Sequence, residues 1–308
     1  MIRQNKKIFS LIISFIIFLF VMVFKSEGLE EEQIKVELYY RALHPGEAIM
    51  VLLPEKEKIS SASIQIFGQV FPLAQPKEDS PFLGLIGIDL DIRPDLYPMI
   101  LAIKTNQGEE IEITRTLHIV DKHFPVKKIQ VDEKYVIPPP EALEKIRRDN
   151  ELLQSIYRTL TPQWMIDGQF LFPTSGQGRK NFGERRIFNL RPRSSHSGED
   201  ILSPSGEDIK AANNGLVVLA EELYFGGKTV ILDHGFGFYT IYCHLSEFNV
   251  RNGDLVKKGE LLGKVGATGR VTGPHLHWGI KLNGSRVDPY SILELPFDAL
   301  TQKDKDEK

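Results

Sequence analysis

A chain of 308 residues with a net charge of -3 and 42% hydrophobic residues is long enough for two separately cored domains, and its composition is neither that of a disordered chain nor that of a repeat array. The small net charge gives no sign of a nucleic-acid partner, and none is expected. The single cysteine, Cys243, excludes an intrachain disulfide and a cysteine-built zinc site, so any metal must be held by histidine and carboxylate.

At the start of the chain Arg3, Lys6 and Lys7 precede an apolar or small run from Ile8 to Phe24, near the lower limit of the roughly 17–25 residues that a bilayer-crossing helix needs. Lys25-Ser26-Glu27-Gly28 comes next, without a small-x-small cleavage site. Residues 1–28 read as a cytoplasmic tail and an uncleaved signal anchor, and the positive-inside rule puts the chain beyond residue 28 outside the membrane. The expected location is the bacterial inner membrane, single-pass, with most of the chain in the periplasm. A cleaved, periplasmic form is the second choice.

Residues 32–129 show short β-like runs between turn signals. Ile34, Val36 and Leu38 alternate with polar residues, Ala48–Leu53 is an unbroken apolar run ended by Pro54, and Ile64 and Ile66 alternate again. Leu85–Ile92 and Met99–Ile103 extend the series, and Gln107-Gly108 suggests a hairpin before Ile111 and Ile113. This spacing predicts a small β-sandwich serving as a spacer, docking or shielding module. Its histidines, His44, His118 and His123, are scattered and are read as structural.

Pro138-Pro139-Pro140 marks the clearest boundary, within a proline-rich linker and helix assigned to 130–165. Glu141–Thr159 carries Leu143, Ile146, Leu153 and Ile156 among charges, an amphipathic helix that either packs between domains or stands as a solvated connector. Its length motivates the expectation that the first domain restrains the second, to be tested by comparing residues 29–308 with 160–308.

The chemistry gathers in residues 168–292. His196 and Asp200 lie in Ser195-His196-Ser197-Gly198-Glu199-Asp200, where Gly198 and the nearby Ser203-Pro204 disfavour a helix, so a loop entering a strand is expected. In Pro274-His275-Leu276-His277 a period of two sends both imidazoles to one face of a strand and Leu276 to the other. The same parity puts Thr240, Tyr242 and His244 on one face. Imidazoles crowded onto a groove floor repel when protonated, which a bound metal or a shared proton network relieves. Gly266-Ala267-Thr268-Gly269-Arg270 lacks the Lys-Ser/Thr ending of a phosphate loop and reads as a tight turn.

The segments His196-x-x-x-Asp200, Thr240-x-Tyr242-x-His244-Leu245-Ser246 and Gly273-Pro274-His275-Leu276-His277 resemble, in order, the three signature segments of the M23 zinc metallopeptidases, the LytM and lysostaphin-type cell-wall endopeptidases. The resemblance implies an antiparallel β-sheet peptidase domain over 168–292, one Zn2+ per chain held by His196, Asp200 and His277, and catalytic roles for His244 and His275. Which of these two takes a proton and which orients water or binds the oxyanion stays open. Asn181 and Arg185 resemble the family's substrate-binding entrance. His234 and Tyr242 are further candidates for substrate contact, His234 more readily as a structural residue, and Tyr224-Phe225-Gly226-Gly227 is a candidate hairpin wall.

Zinc held by three protein ligands keeps a position for water and lowers its pKa to about 7, which suits peptide hydrolysis. The implied partner is peptidoglycan, at its stem-peptide cross-links, with a D,D-endopeptidase preferred over a glycyl-glycine enzyme. Two other readings are a noncatalytic M23-like regulator that activates a cell-wall amidase, which would make a cell-wall regulatory protein a partner, and a lipoyl/biotinyl-type carrier suggested by Val256-Lys257-Lys258-Gly259-Glu260. Residues 293–308 read as a charged C-terminal tail. The whole is expected to be mainly β: membrane anchor, β-sandwich-like domain, helical connector and peptidase domain.

Overall fold

Alternating and unbroken apolar runs both become strands, for different reasons. The computed structural model describes residues 34–54, 58–77 and 80–300; the anchor expected at 1–28 and residues 301–308 lie outside the described residues. The first half is built from β1 (Glu37–Tyr40), β2 (Ala48–Leu53), β3 (Ile59–Ile66), β4 (Gln69–Leu73), β5 (Phe82–Gly87), β6 (Asp95–Thr105) and β7 (Glu110–Ile119). These pair into two antiparallel sheets, ordered β1-β2-β5 and β4-β3-β6-β7. Ile49, Val51, Ile64, Phe71, Met99 and Leu101 fill the space between them. The expected hairpin at Gln107-Gly108 joins β6 to β7, with Gly108 at φ 84°.

The strand β2 is apolar at every position because it has a core on each face. Ile49, Val51 and Leu53 point into the sandwich, whereas Ala48, Met50 and Leu52 join a second core with Val230, Trp278 and Leu282. An ion-pair cluster pins the same seam. Arg41 donates from Nε to Glu47 Oε2 at 3.0 Å and from Nη2 to Glu47 Oε1 at 2.8 Å and Asp288 Oδ2 at 2.6 Å, and Lys122 Nζ reaches Glu47 Oε1 at 3.1 Å. Burial raises the Glu47 carboxyl, but Arg41 and Lys122 outweigh it and hold it below its ordinary value of 4.5. A carboxylate with a depressed folded value contributes stability that is present above about 4.5 and lost as pH falls through the folded value. Glu47→Gln should therefore cost about 3 kcal/mol near neutral pH. Denaturant unfolding of wild type and variant should converge as the pH is lowered below 4.5.

From this half the chain runs through β8 (Val126–Ile129) into α1 (Pro140–Arg158), with Pro140 in the first turn and Arg158 in the last. Leu152, Leu153, Ile156 and Tyr157 pack on Leu219, Leu223, Ile231 and Tyr239, and the Tyr239 hydroxyl donates to the Thr159 carbonyl at 2.5 Å. The helix is thus packed on the second half along its last turns, while Leu143, counted in its apolar stripe, is exposed.

The second half comprises β9 (Gln177–Gly178), β10 (Arg185–Phe188), β11 (Arg191–Ser195), β12 (Gly198–Leu202), β13 (Asp208–Lys210), β14 (Gly215–Leu223), β15 (Gly227–Asp233), β16 (Phe238–Phe248), β17 (Leu255–Val256), β18 (Leu261–Val265), β19 (Leu276–Leu282), β20 (Ser285–Val287) and α2 (Pro289–Leu293). Its main path is β17-β14-β15-β16-β19-β12-β9, a ten-stranded sheet once β13, β18 and β20 are added. All its pairings are antiparallel. The chain is mainly β, as expected.

Two boundaries read from the sequence shift. The β8 strand, placed at the end of the first domain, pairs in parallel with β10 of the second half, Arg185 opposite Val126 and Phe188 opposite Ile129. Residues 293–308 are not all tail, because Leu295 and Phe297 are buried in the core beneath the large sheet. The charged residues that suggested a tail lie beyond them.

Candidate metal centre

The large sheet brings the candidate residues together by register. On β19, His277 sits opposite Asp200 of β12 on one side and opposite Cys243 of β16 on the other. Directly opposed residues share a face, while Leu276 turns into the core on the other face. His275 stands just before β19, held by a bridge to Gly266. His196 enters from the loop before β12 and is buried. Gly198 makes this approach possible, since a Cβ there would lie 2.6 Å from the Trp278 carbonyl oxygen and 2.8 Å from Nε2 of His277.

The ligand atoms converge. His196 Nε2 is 3.0 Å from Asp200 Oδ1 and 2.9 Å from His277 Nδ1, which is itself 3.1 Å from Asp200 Oδ1. Among the described residues His196, Asp200 and His277 form a group able to hold a metal ion. The second oxygen, Oδ2, is occupied by Asn181 Nδ2 at 2.9 Å and Arg186 Nη2 at 2.6 Å, so the carboxylate offers a single oxygen to the cluster. Burial raises the Asp200 pKa, but the adjoining His196 and His277 rings outweigh it and hold it well below the usual carboxylate range.

The imidazoles are set by their outer nitrogens. His196 Nδ1 donates to the Asn181 carbonyl at 2.9 Å, His244 Nδ1 to Thr268 at 2.8 Å, and His275 Nδ1 to Gly273 at 2.9 Å. A neutral ring that donates from Nδ1 keeps its lone pair on Nε2. Burial lowers the pKa of His196, His244, His275 and His277 alike, which favours the neutral, lone-pair-bearing form. The donor set therefore fits a borderline-soft dication such as zinc: two imidazole nitrogens and one monodentate carboxylate oxygen converge on one place.

His244 reaches the site by an irregularity. Val230 pairs with Tyr242 and Lys228 with Leu245, so Cys243 and His244 together oppose the single Thr229, a β-bulge with His244 at φ 68°. The bulge turns His244 onto the face of Cys243 and His277, with its ring centroid 4.9 Å from that of His275 and 6.0 Å from that of His277.

Three sequence expectations change accordingly, those for Tyr242, Arg185 and Asn181, while for His234 the structural alternative is the one found. Tyr242 does not share a face with His244; it is fully buried, and its hydroxyl accepts from the Ala212 N–H at 2.9 Å and from Thr240 at 3.1 Å. His234 is a core histidine, Nδ1 toward the Asn214 carbonyl and Nε2 toward Thr240, its pKa pushed by burial down to about 4. Arg185 is exposed, and the arginine that reaches the cluster is Arg186. Asn181 lines the groove, but both ends of its amide are taken by Asp200, through Nδ2 and through Oδ1, which accepts the Asp200 N–H at 3.0 Å. It positions ligands. Asn181→Ala should weaken metal affinity by about 10- to 100-fold, read by competition with a chelating dye.

Sequence reasoning missed Glu199, whose buried carboxylate accepts the N–H groups of Lys180 at 2.5 Å and Asn181 at 3.0 Å and so holds Asn181 in place. Its signal was an acidic residue inside an otherwise buried strand. The groove above the cluster has Phe188, Phe225 and Arg270 on one side and residues 127–131, from β8 into the linker, on another. The expected hairpin wall at Tyr224-Phe225-Gly226-Gly227 connects β14 to β15 there.

Imidazole lone pairs gathered around one carboxylate on the floor of an antiparallel sheet mark a protein built to hold a metal. A family model described as Peptidase family M23 matches residues 194–289. A solved structure assigned to peptidase M23 from Pseudomonas aeruginosa is 30% identical and covers 82% of this chain and 96% of its own, with a TM-score of 0.64. The chain belongs to the M23 peptidase family. It is also 40% identical over 124 residues to the DD-carboxypeptidase/endopeptidase Mpg of Neisseria meningitidis, covering 40% of this chain and 28% of the relative. With the peptidoglycan DD-endopeptidase ShyC of Vibrio cholerae the identity is 38% over 128 residues, 41% of this chain and 29% of the relative. The chain thus spans less than a third of the length of these curated relatives.

Proposed function

We propose that the chain is a zinc-dependent endopeptidase that hydrolyses stem-peptide cross-links of bacterial peptidoglycan, as a D,D-endopeptidase. The observation that carries this reading is the convergence of His196 Nε2, Asp200 Oδ1 and His277 Nδ1 with the Nε2 lone pair of His275 beside them, 3.5 Å from Asp200 Oδ1. Zinc, when bound, polarises the scissile carbonyl and makes water acidic enough to attack near neutral pH.

The chain's own residues supply the rest. His275 Nε2 takes the proton of the attacking water, assisted by the nearby Asp200 charge, and hands it to the amine as the C–N bond breaks. His244, locked by Thr268, orients the water through its Nε2 lone pair. Arg186 and Asn181 hold Oδ2 of Asp200 and so keep the carboxylate aimed. The curated relatives' names, a DD-carboxypeptidase/endopeptidase and a peptidoglycan DD-endopeptidase, support the substrate. The proposed setting is the periplasmic face of a bacterial inner membrane, with residues 1–28 as anchor.

The test is incubation of the full-length, zinc-loaded chain with purified cross-linked muropeptide dimers. Monomers should be released, and release should stop on chelation and return with zinc. A chain that binds one zinc, has an open groove and leaves the dimers intact would defeat the proposal.

A further inference from the structure

One wall of the groove is a strand edge. The consecutive residues Lys127 to Val131 line it together with Asp200, His244 and His275. Side chains of a strand alternate between its faces, so neighbours of both parities border one groove where that groove runs along the edge.

The strand concerned, β8, ends its sheet. The order is β11-β10-β8, and among the described residues no other strand or bridge pairs with its outer side. The ladder fixes which backbone groups are spent. Arg185 N–H donates to the Pro125 carbonyl at 2.9 Å and Asn189 N–H to the Ile129 carbonyl at 3.1 Å. With Arg185 opposite Val126 and Ile187 opposite Lys128, the residues that bond β10 are Pro125, Lys127 and Ile129. The N–H and C=O groups of Val126 and Lys128 therefore point away from β10, and both residues are exposed. They repeat at about 6.7 Å, the spacing at which an extended peptide presents its own alternate groups.

The orientation suits the chemistry. Lys127 lies opposite Arg186 and Ile129 opposite Phe188, and residues opposed in register share a face. Arg186 reaches Asp200 Oδ2 at 2.6 Å, so that face is turned toward the metal ligands. A strand added to β8 would show every second residue to the cluster. Four residues of strand, entered from Pro125 and carrying two lysines, are poorly suited to pairing with a second copy of the chain. They leave room for a short peptide. The β8 strand also lies outside residues 194–289, the part matched to the M23 family, so this edge is supplied by the first half of the chain.

We propose that β8 is a substrate-docking edge, on which an extended peptide arm of the cross-link pairs with the backbone of Val126 and Lys128 as a fourth strand of the small sheet. Recognition there is of main chain. This rests on the endopeptidase reading and adds to it how the peptide is held.

The test uses the full-length zinc-loaded chain and a series of cross-linked dimers, each N-methylated at one amide of that arm, moved residue by residue away from the scissile bond. Loss of one paired N–H should lower kcat/KM by about tenfold. Only alternate amides face β8, so the loss should fall on one amide and spare the next. Lys128→Pro removes the outward N–H and keeps the bonds to β10; it should lower kcat/KM on the unmethylated dimer by a similar factor and abolish the alternation. Lys128→Ala keeps the N–H and should keep the alternation. Zinc content and thermal melting check that Lys128→Pro is folded, and if it is not, the methylated series on the wild type decides alone. Equal losses at neighbouring amides, no loss at any, or a folded Lys128→Pro that keeps the alternation would overturn the docking edge while leaving the endopeptidase reading intact. If the wild type cleaves none of the dimers, the endopeptidase reading fails instead. Calorimetric affinities of the same series then decide β8: an alternation of about tenfold supports it, and a flat series or no binding refutes it.

Discussion

Purified His277→Ala should contain almost no zinc and lose on the order of 10³-fold or more of any cross-link hydrolysis. The reason is geometric. Nδ1 of His277 is 2.9 Å from His196 Nε2 and 3.1 Å from Asp200 Oδ1, so its loss removes one corner of a three-atom donor set and leaves two. Two ligands cannot complete the three-ligand set that zinc hydrolases use. Alanine at 277 keeps the strand alternation, and Leu276 and Trp278 stay in the core, so the fold should survive. Elemental analysis of the folded variant reads the outcome. Full zinc content together with full activity would remove His277 from the ligand set.

His275→Ala should separate metal from turnover. His275 is outside the three-residue cluster, its Nδ1 is committed to the Gly273 carbonyl and its Nε2 stands 3.5 Å from the ligand carboxylate. Zinc content should stay near one per chain while kcat falls by about 10²- to 10⁴-fold, the usual contribution of a positioned acid or base, with KM little changed. His244→Ala should also retain zinc, with a smaller loss in kcat. Equal losses from the two variants would argue that the rings act as one unit, and a His275→Ala enzyme with wild-type kcat would dismiss His275 as the proton carrier.

Simple periodicity made the gathering of the histidines legible in the sequence, while the choice of His196, Asp200 and His277 as ligands came from the resemblance to the M23 peptidases. His275 and His277 flank Leu276, the first residue of a strand, and a loop bearing His196 feeds a strand bearing Asp200. His244 does lie beside the cluster, but not by the strand alternation that its spacing suggests. A period of two puts it with Tyr242, and only the two-against-one pairing at Thr229, which leaves no composition signal at Cys243-His244, turns it around. The adjacent arginines 185 and 186 pose the same parity problem on a short strand with little apolar pattern, and the structure resolves it in favour of Arg186. Asn181 and Glu199 act through hydrogen bonds to backbone and carboxylate, which spacing does not encode. The extent of the second core was hidden by the charged residues beyond Phe297, and the second role of Ala48–Leu53 by the fact that an apolar run does not say how many cores it touches.

That double-sided strand bears on how the molecule can be taken apart. A protease nick or an engineered cut at Pro138-Pro139-Pro140 would sever the chain without freeing either piece, since Met50, Leu52, Leu83 and Leu85 would still be lodged against the peptidase sheet. A fragment beginning near residue 160 would be born with that side bare, and apolar area of this kind drives self-association. Cleavage within the connector should therefore yield a nicked complex that stays together through gel filtration, and its two segments should melt in one transition.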